Sequence, residues 1–218
     1  MSPKEIRNLS ASVLARLLTR AQRTGDDYQN LITAFFSERF LYRLGASKVH
    51  DRFVLKGAML LRLWVDQPYR ATRDIDFLRL GGGTAEAIRA DVEEICATEV
   101  DPDGVAFEPS SIRLEAIRPE DEYAGTRLSL VARCGSVRMN FQVDVGIGDT
   151  PWPPPQSRAY PALLEFPAPT LLVYAPESRP PDIARWFSCP LRGRPVTKRK
   201  HDLAESLTWR GFPATSSL

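Results

Sequence analysis

The sequence has few of the residues that most often build disulfide frameworks, zinc sites and catalytic triads. Its two histidines, His50 and His201, leave little material for a triad that depends on an imidazole base. Its three cysteines, Cys96, Cys134 and Cys189, are odd in number and widely spaced, and they form no CxxC pair. We therefore expect neither a disulfide framework nor a cysteine-based zinc site, and a reducing cytoplasm fits this usage best.

Long apolar runs are also missing. No segment approaches the ~18 to 20 uncharged residues that a membrane helix needs, because Arg16, Arg39 and Arg62 interrupt the best candidates. The N-terminal residues 1–5 lack the apolar stretch of a secretory signal. Hydrophobic residues at 43% and charged residues at 26% are close to globular averages, which excludes collagen-like and wholly disordered chains. The expectation is a cytoplasmic protein without a membrane span.

Charge is unevenly distributed, although the formal net charge is only +2. Residues 1–73 carry a net charge of +7, residues 74–150 carry −9, and residues 151–218 carry +4. An acidic middle between basic ends suits a metal-binding catalytic sheet beside a surface that attracts phosphates. Ordinary solvated helix faces would produce the same asymmetry, so both interpretations stay open at this stage.

Alternating helix and strand patterns predict an α/β (α+β) fold. A capping box at residues 2–5 opens a first helix that ends at Gly25. A second apolar stripe runs over residues 26–44, with Arg39 and Arg43 predicted to project from its other side. The further predicted elements are a turn and helix after Gly57, a helix at 84–98, and strands at 53–55, 74–80, 112–117, 126–134 and 137–145.

The amino-acid composition changes after residue 148, where the chain becomes rich in proline. Of the 18 prolines, 13 lie between Pro151 and Pro213, so the segment that follows the last predicted strand is expected to be extended rather than helical. The chain is thus divided into an N-terminal helical segment at 1–50, a core at 51–150, a proline-rich extended segment at 151–178 and an atypical tail at 179–218.

Three aspartates carry the strongest chemical signal. Asp74 and Asp76 occupy positions i and i+2 of a predicted strand, so both carboxylates point to one face while Ile75 faces the core. Asp144 is a lone carboxylate in an apolar strand, where an unpaired charge would be costly. Hard oxygen ligands of this kind bind Mg²⁺ or Mn²⁺, and a cation would remove the repulsion between the paired anions. We expect the three residues to meet around a divalent metal.

An anion site is predicted beside these acids. Gly57 lies where a strand gives way to a turn, which leaves backbone N–H groups open to a phosphate. Lys56, Arg70 and Arg73 can neutralise phosphate oxygens. Together these parts describe metal-assisted attack on the α-phosphorus of a nucleoside triphosphate.

Each of these signals has an alternative interpretation. An Asp-x-Asp strand is often surface charge, and glycosyltransferases use the same pattern for a metal-bound nucleotide sugar. The Lys56–Gly57 turn needs no ligand, and Asp144 could pair with an arginine such as Arg138. A set of arginines on the first two helices either lines a tRNA groove or forms an ordinary charged face; it comprises Arg7, Arg16, Arg20, Arg23, Arg39 and Arg43.

Four segments together resemble the AbiEii/AbiGii-type nucleotidyltransferase toxins, which include the mycobacterial MenT group. They are residues 53–61 (FVLKGAMLL), 70–77 (RATRDIDF), 141–149 (FQVDVGIGD) and 163–178 (LLEFPAPTLLVYAPES). The resemblance implies a polymerase-β-like nucleotidyltransferase core with a mixed sheet flanked by helices. It also implies Mg²⁺ (or Mn²⁺), a nucleoside triphosphate donor, a tRNA 3′ end as acceptor and a cognate antitoxin.

Carried over onto this chain, the resemblance assigns Asp74, Asp76 and Asp144 to catalysis and metal binding. It assigns Lys56, Gly57, Ala58 and Arg73 to the nucleotide. The family usually has a glycine or serine where this chain has Ala58, which keeps the backbone donors but removes any hydroxyl contact.

The tail departs from the family. The resemblance implies a helix with an Ala-Glu-Lys core after residue 178, and consecutive prolines at 180–181 forbid it here. No lysine occurs between Arg179 and Lys198, and we interpret residues 179–218 as an out-of-frame tail. The alternative is that Lys200 and Asp202 are a shifted remnant of the family's Lys-Asp segment.

The departure of the tail from the family leads to a second hypothesis of function. In this hypothesis the protein is catalytically impaired and binds nucleotide or antitoxin without turnover.

Overall fold

The computed structural model describes residues 8–64, 72, 74–117, 125–148 and 150–175. Its helices are α1 (Leu9–Thr24), α2 (Tyr28–Ala46), α3 (Leu61–Trp64) and α4 (Ala85–Ala97). Its strands are β1 (Phe53–Lys56), β2 (Asp74–Arg79), β3 (Ala106–Ile117), β4 (Gly125–Cys134), β5 (Val137–Gly146), β6 (Gln156–Ala159) and β7 (Thr170–Val173). The strands form one sheet in the order β3-β4-β5-β2-β1-β7-β6.

The sheet is mixed, as predicted. Strand β2 runs parallel to β5 and antiparallel to β1, while β3, β4 and β5 form an antiparallel meander. The predicted α/β (α+β) class is confirmed, and every strand predicted between residues 53 and 146 is present. No helix among the described residues is long and apolar enough to cross a membrane.

The first two helices begin at side-chain caps. Asn8 accepts a hydrogen bond from the Ala11 N–H at the start of α1, and Asp27 accepts one from the Asn30 N–H at the start of α2. Helix α1 ends at Gly25 in the left-handed conformation, as predicted. The predicted capping box at residues 2–5 lies outside the described residues.

The apolar side chains of α2 pack on one face of the sheet. Phe40 of α2 contacts the rings of Phe77 on β2, Phe107 on β3 and Phe141 on β5, with ring centroids 5.2–6.5 Å apart. Because strand side chains alternate, the neighbours of these residues along each strand point to the opposite, open face of the sheet. The chemistry predicted from the sequence falls on that open face.

The prediction that Arg39 and Arg43 project from α2 is wrong, because both side chains are buried. Arg43 donates to both oxygens of Asp103 at 2.7 and 3.0 Å, and to the carbonyl of Val105. Arg39 donates to Glu38 at 2.5 Å and to the carbonyl of Pro167 at 2.9 Å. Helix α2 is covered on several sides, so its polar positions are buried together with its apolar stripe. These two arginines therefore cannot line an exposed RNA groove.

The proline-rich segment contains two strands that the sequence did not predict. Strand β7 pairs parallel with β1 and antiparallel with β6, and Leu171 and Val173 are buried in alternation. Four-residue strands bounded by prolines give a weak periodic signal, so pairing with β1 can be found only in three dimensions. Strand β7 supports β1, which carries Lys56 at its end.

Candidate functional site

Strand β2 places Asp74 and Asp76 on the open face of the sheet. Ile75 and Phe77, which alternate with them, are buried in the core, whereas both aspartates are partly exposed. The neighbouring parallel strand β5 aligns Asp76 with Asp144 and Asp74 with Gln142. Adjacent strands lie about 4.8 Å apart, so the fold brings the three predicted acids to one area of the open face.

Lys56 approaches the same area from the other side of β2. In the antiparallel pairing of β1 with β2, Lys56 is the register partner of Asp76. Its Nζ lies 3.2 Å from the position that a Cβ atom at Gly146 would occupy. The lysine side chain thus extends toward β5, and the absence of a side chain at Gly146 leaves room for it. Gly146 is not among the site residues predicted from the sequence; it lies two positions after Asp144, at the end of β5.

The backbone of Gly57 packs directly against the side chain of Asp76. Its φ is +71°, and a Cβ atom there would lie 2.2 Å from Oδ2 of Asp76. Only glycine is compatible with both the backbone conformation and this contact. The next residues, Gly57–Leu60, form a 3-10 turn that includes Ala58, and α3 begins only at Leu61. The predicted helix therefore starts later than expected, after one turn of tighter backbone.

Asp144 is bound by an arginine that sequence analysis missed. Arg127 of β4, directly opposite in the antiparallel register, donates to Oδ1 at 2.9 Å and to Oδ2 at 2.7 Å. Gln142 donates a longer hydrogen bond of 3.3 Å to Oδ1. The hydrogen bond to Asp144, with the nearby carboxylates Asp74 and Glu115, raises the pKa of the Arg127 guanidinium, although desolvation opposes the shift. The arginine partner suggested by the sequence, Arg138, makes no such pair with Asp144.

The remaining predicted residues are placed as follows. Arg70 and Arg73, predicted to neutralise phosphate, lie outside the described residues, as does the whole tail at 179–218. Within the described part of the chain, no three His, Cys, Asp or Glu side chains are grouped closely enough to hold a metal ion in this arrangement. Asp144 instead has both oxygens engaged by Arg127; Oδ1 also accepts from Gln142, so Oδ2 is the oxygen that keeps a second lone pair beyond these hydrogen bonds.

Residues 39–178 of the chain match the family model described as Nucleotidyl transferase AbiEii toxin, Type IV TA system. The matched range includes every predicted site residue. No curated protein matches the chain.

Two solved structures are similar to the chain. One is JHP933 from Helicobacter pylori, at 14% identity and a TM-score of 0.44, over 79% of this chain and 64% of that one. The other, from the same organism, is provisionally assigned as a nucleotidyltransferase, at 14% identity and a TM-score of 0.45, over 82% of this chain and 67% of that one. The chain thus spans about two thirds of each structure's length.

Proposed function

Because this chain belongs to the family of AbiEii nucleotidyl transferase toxins, we propose that it transfers nucleotides from a nucleoside triphosphate to the 3′ end of tRNA. It would act as the toxin of a toxin–antitoxin pair, with a cognate antitoxin as its partner. The observation that supports this most directly is the register of three strands. It sets Asp76 between Lys56 on β1 and Asp144 on β5, beside the glycine turn at Gly57.

Asp74 and Asp76 would hold Mg²⁺ or Mn²⁺, and Asp144 would support them from the adjacent strand. The donor set fits such a cation, because carboxylate oxygens on a rigid strand are the ligands that both ions prefer. A bound divalent ion neutralises charge on the transferring phosphoryl group and on the leaving pyrophosphate. The three aspartates lie on one face of the sheet, so they would hold the cation on that face. Arg127 holds Asp144 in place through two hydrogen bonds.

The triphosphate would lie over the turn that follows β1. Gly57 has no side chain between its backbone and an incoming phosphate, and Ala58 adds a second backbone N–H. Lys56 brings a positive charge close to Asp76 and Gly146, where it can pair with phosphate oxygens. Arg73, the residue before Asp74 in the sequence, would assist by pairing with a phosphate oxygen.

A transfer assay tests the proposal. The full chain is incubated with each labelled nucleoside triphosphate, Mg²⁺ and total tRNA, and we expect label at the tRNA 3′ end with release of pyrophosphate. Chelation of the metal should stop the transfer, and the Asp76→Ala variant serves as the inactive control. Transfer that persists in Asp76→Ala would contradict the assignment of the acids.

A second candidate function, binding of nucleotide or antitoxin without transfer, is favoured by a specific contact in the structure. Arg127 engages both oxygens of Asp144, so that carboxylate already has a counter-charge. The sequence also has no lysine between Arg179 and Lys198, where the family resemblance places a catalytic one. The family match ends at residue 178, which supports our proposal that the tail from Arg179 is out of frame. Nucleotide binding without transfer in the same assay would favour this candidate.

Replacement of Arg127 tests whether a cation and the guanidinium compete for Asp144. We expect Arg127→Gln to lower the free energy of unfolding by about 1 kcal/mol without metal, because Asp144 loses its partly exposed ion pair. Mg²⁺ should then raise the Tm of this variant more than that of the native chain, since a bound cation can take the place of the lost guanidinium at Asp144. Thermal unfolding with and without Mg²⁺ measures both effects.

Arg133→Gln is the matched control for this experiment. Arg133 lies on the same strand and the same face, but it pairs with Glu108, which is not one of the predicted ligands. Its response to Mg²⁺ should equal that of the native chain. Equal responses in all three proteins would show that no cation replaces Arg127 at Asp144.

A further inference from the structure

A groove lies on the open face of the sheet, away from the three acids. It is created by an irregularity in β3: Glu108 pairs with Val131 and Arg113 pairs with Ser129, so residues 109–112 lie opposite a single residue of β4. Ser111 fixes this bulge, because its hydroxyl donates to the Glu108 carbonyl at 2.6 Å and accepts from the Val131 N–H at 2.8 Å. The resulting groove has a volume of about 440 Å³.

The groove combines apolar residues, Ile112, Leu130 and Val131, with a polar and positively charged part. Its polar lining consists of Ser110, Ser111, Arg113, Ser129, Arg138 and Asn140, and none of its lining residues is acidic. Arg113 and Arg138 are exposed and make no ion pair with another described residue. The other two arginines on this face differ, since Arg127 pairs with Asp144 and Arg133 pairs with Glu108. Two arginines of the groove are thus without an acidic partner among the described residues, and their charge suits an anionic ligand.

The groove and the acidic site lie on the same face of the sheet, and the strands that line the groove lead to the acids. Along β5, Arg138, Asn140, Gln142 and Asp144 occupy alternate positions and so share the open face. Arg138 and Asp144 are six positions apart along the strand, a distance of roughly 20 Å, which spans several nucleotides of an extended strand. Across the sheet, Arg113 is in register with Ser129, Ser129 with Gln142, and Gln142 with Asp74. A chain-like anion can therefore run from the groove to the acids without leaving the sheet.

We propose that this groove binds the sugar–phosphate backbone of the acceptor RNA, a few nucleotides upstream of the 3′ hydroxyl that reacts at the acids. This inference rests on the proposed function. Arg113 and Arg138 pair with phosphates, while the serines and Asn140 donate to phosphate and ribose oxygens. The groove's lining includes no aromatic side chain on which a base could stack. Binding by backbone contacts of this type is independent of base sequence.

The test measures the affinity of the full chain for a short fluorescent single-stranded RNA by anisotropy, without nucleoside triphosphate. We expect the double variant Arg113→Gln/Arg138→Gln to bind about tenfold more weakly than the native chain. The slope of log K against log salt should fall by about 0.7 for each phosphate that the variant no longer neutralises. Affinity for a nucleoside triphosphate should not change, since neither arginine lies at the turn after β1. Both positions are exposed, so the thermal unfolding of the variant should match that of the native chain.

The control removes the same charge elsewhere: Arg16→Gln/Arg23→Gln changes two arginines of α1, part of the alternative RNA surface considered from the sequence. If this pair weakens RNA binding and the groove pair does not, the groove proposal is overturned. It is also overturned if the groove pair weakens binding of a poly-glutamate peptide but not of RNA, which would indicate an acidic protein partner.

RNA binding is measured without turnover, so this test is independent of the transfer reaction. A chain that transfers no nucleotide can still show the loss of RNA affinity and its change of salt slope. Conversely, a groove variant that transfers normally, with an unchanged KM for the acceptor, would defeat the groove proposal and leave the proposed function intact. Where transfer is observed, we expect the acceptor KM to rise with kcat unchanged.

Discussion

The Gly57→Ala variant is expected to lose nucleotide transfer by at least about 100-fold and to be destabilised by about 2 to 3 kcal/mol. Two costs combine at this position. A non-glycine residue at a φ of +71° costs about 1 to 2 kcal/mol. The new Cβ would also lie 2.2 Å from Oδ2 and 2.9 Å from Cγ of Asp76, so the carboxylate or the turn must move. A shift of about 1 Å in such a group is enough to cost about 100-fold in rate.

Gly25→Ala is the matched control for this variant. Gly25 has nearly the same φ, +75°, but no atom lies within 4 Å of the position of its Cβ. Its substitution should therefore cost only the backbone term, about 1 to 2 kcal/mol, and leave transfer unchanged. Urea unfolding and the transfer assay on both variants separate the two costs. Equal destabilisation and equal activity would mean that Asp76 does not sit against the turn.

The arrangement of the acids could largely be predicted from the sequence. The alternation of Asp74 and Asp76 with buried apolar residues fixes their shared face, and that pattern is local. The ion pair between Asp144 and Arg127 could also have been predicted from the sequence, although we did not predict it. The two-residue turn at 135–136 sets the register of β4 and β5, and counting seven residues outward from Cys134 and from Val137 reaches Arg127 and Asp144.

Other features depend on contacts that no local pattern encodes. The pairing of β7 with β1 joins segments more than 100 residues apart, through strands of four residues each. The groove arises from a bulge in β3, where the sequence offers only Pro109 as a sign of interrupted pairing. Arginine side chains are mostly exposed, but Arg39 and Arg43 of α2 are buried. Each has a partner that lies far away in the sequence: Arg39 donates to the carbonyl of Pro167, and Arg43 donates to the buried carboxylate of Asp103.

The buried pair formed by Glu38 and Arg39 connects α2 to the segment that leads into β7. Oε1 of Glu38 accepts from Arg39, and Oε2 accepts from the Leu163 N–H at 2.5 Å. Arg39 also donates to the carbonyl of Pro167. Since β7 pairs with β1, and β1 ends at Lys56, this pair supports the strand that carries the proposed nucleotide turn.

Arg39→Met is expected to lower the free energy of unfolding by about 3 to 5 kcal/mol at neutral pH, because it leaves the Glu38 carboxylate buried without its counter-charge. Burial already raises the pKa of Glu38, against the opposing effects of Arg39, the Leu163 N–H and Arg62, and loss of Arg39 should raise it further. A raised pKa means that the folded chain binds more protons than the unfolded chain between the two pKa values. Stability therefore falls as pH rises through that interval, and the loss should be smaller at acid pH.

Two further variants separate the buried charge of Glu38 from the packing of the arginine. Adding Glu38→Gln to Arg39→Met should recover most of the loss, because the neutral amide can still accept from Leu163 and needs no counter-charge. Two nitrogens of Arg39, Nε and Nη1, are buried without a hydrogen-bond partner among the described residues, and their removal also favours the double variant.

Arg16→Met is the control for Arg39→Met. Arg16 also lies over an aromatic ring, but its ion-pair partner is fully exposed, so its loss should cost at most about 1 kcal/mol. Thermal unfolding across pH would contradict this account if Arg39→Met and Arg16→Met lost the same stability, or if the loss did not depend on pH.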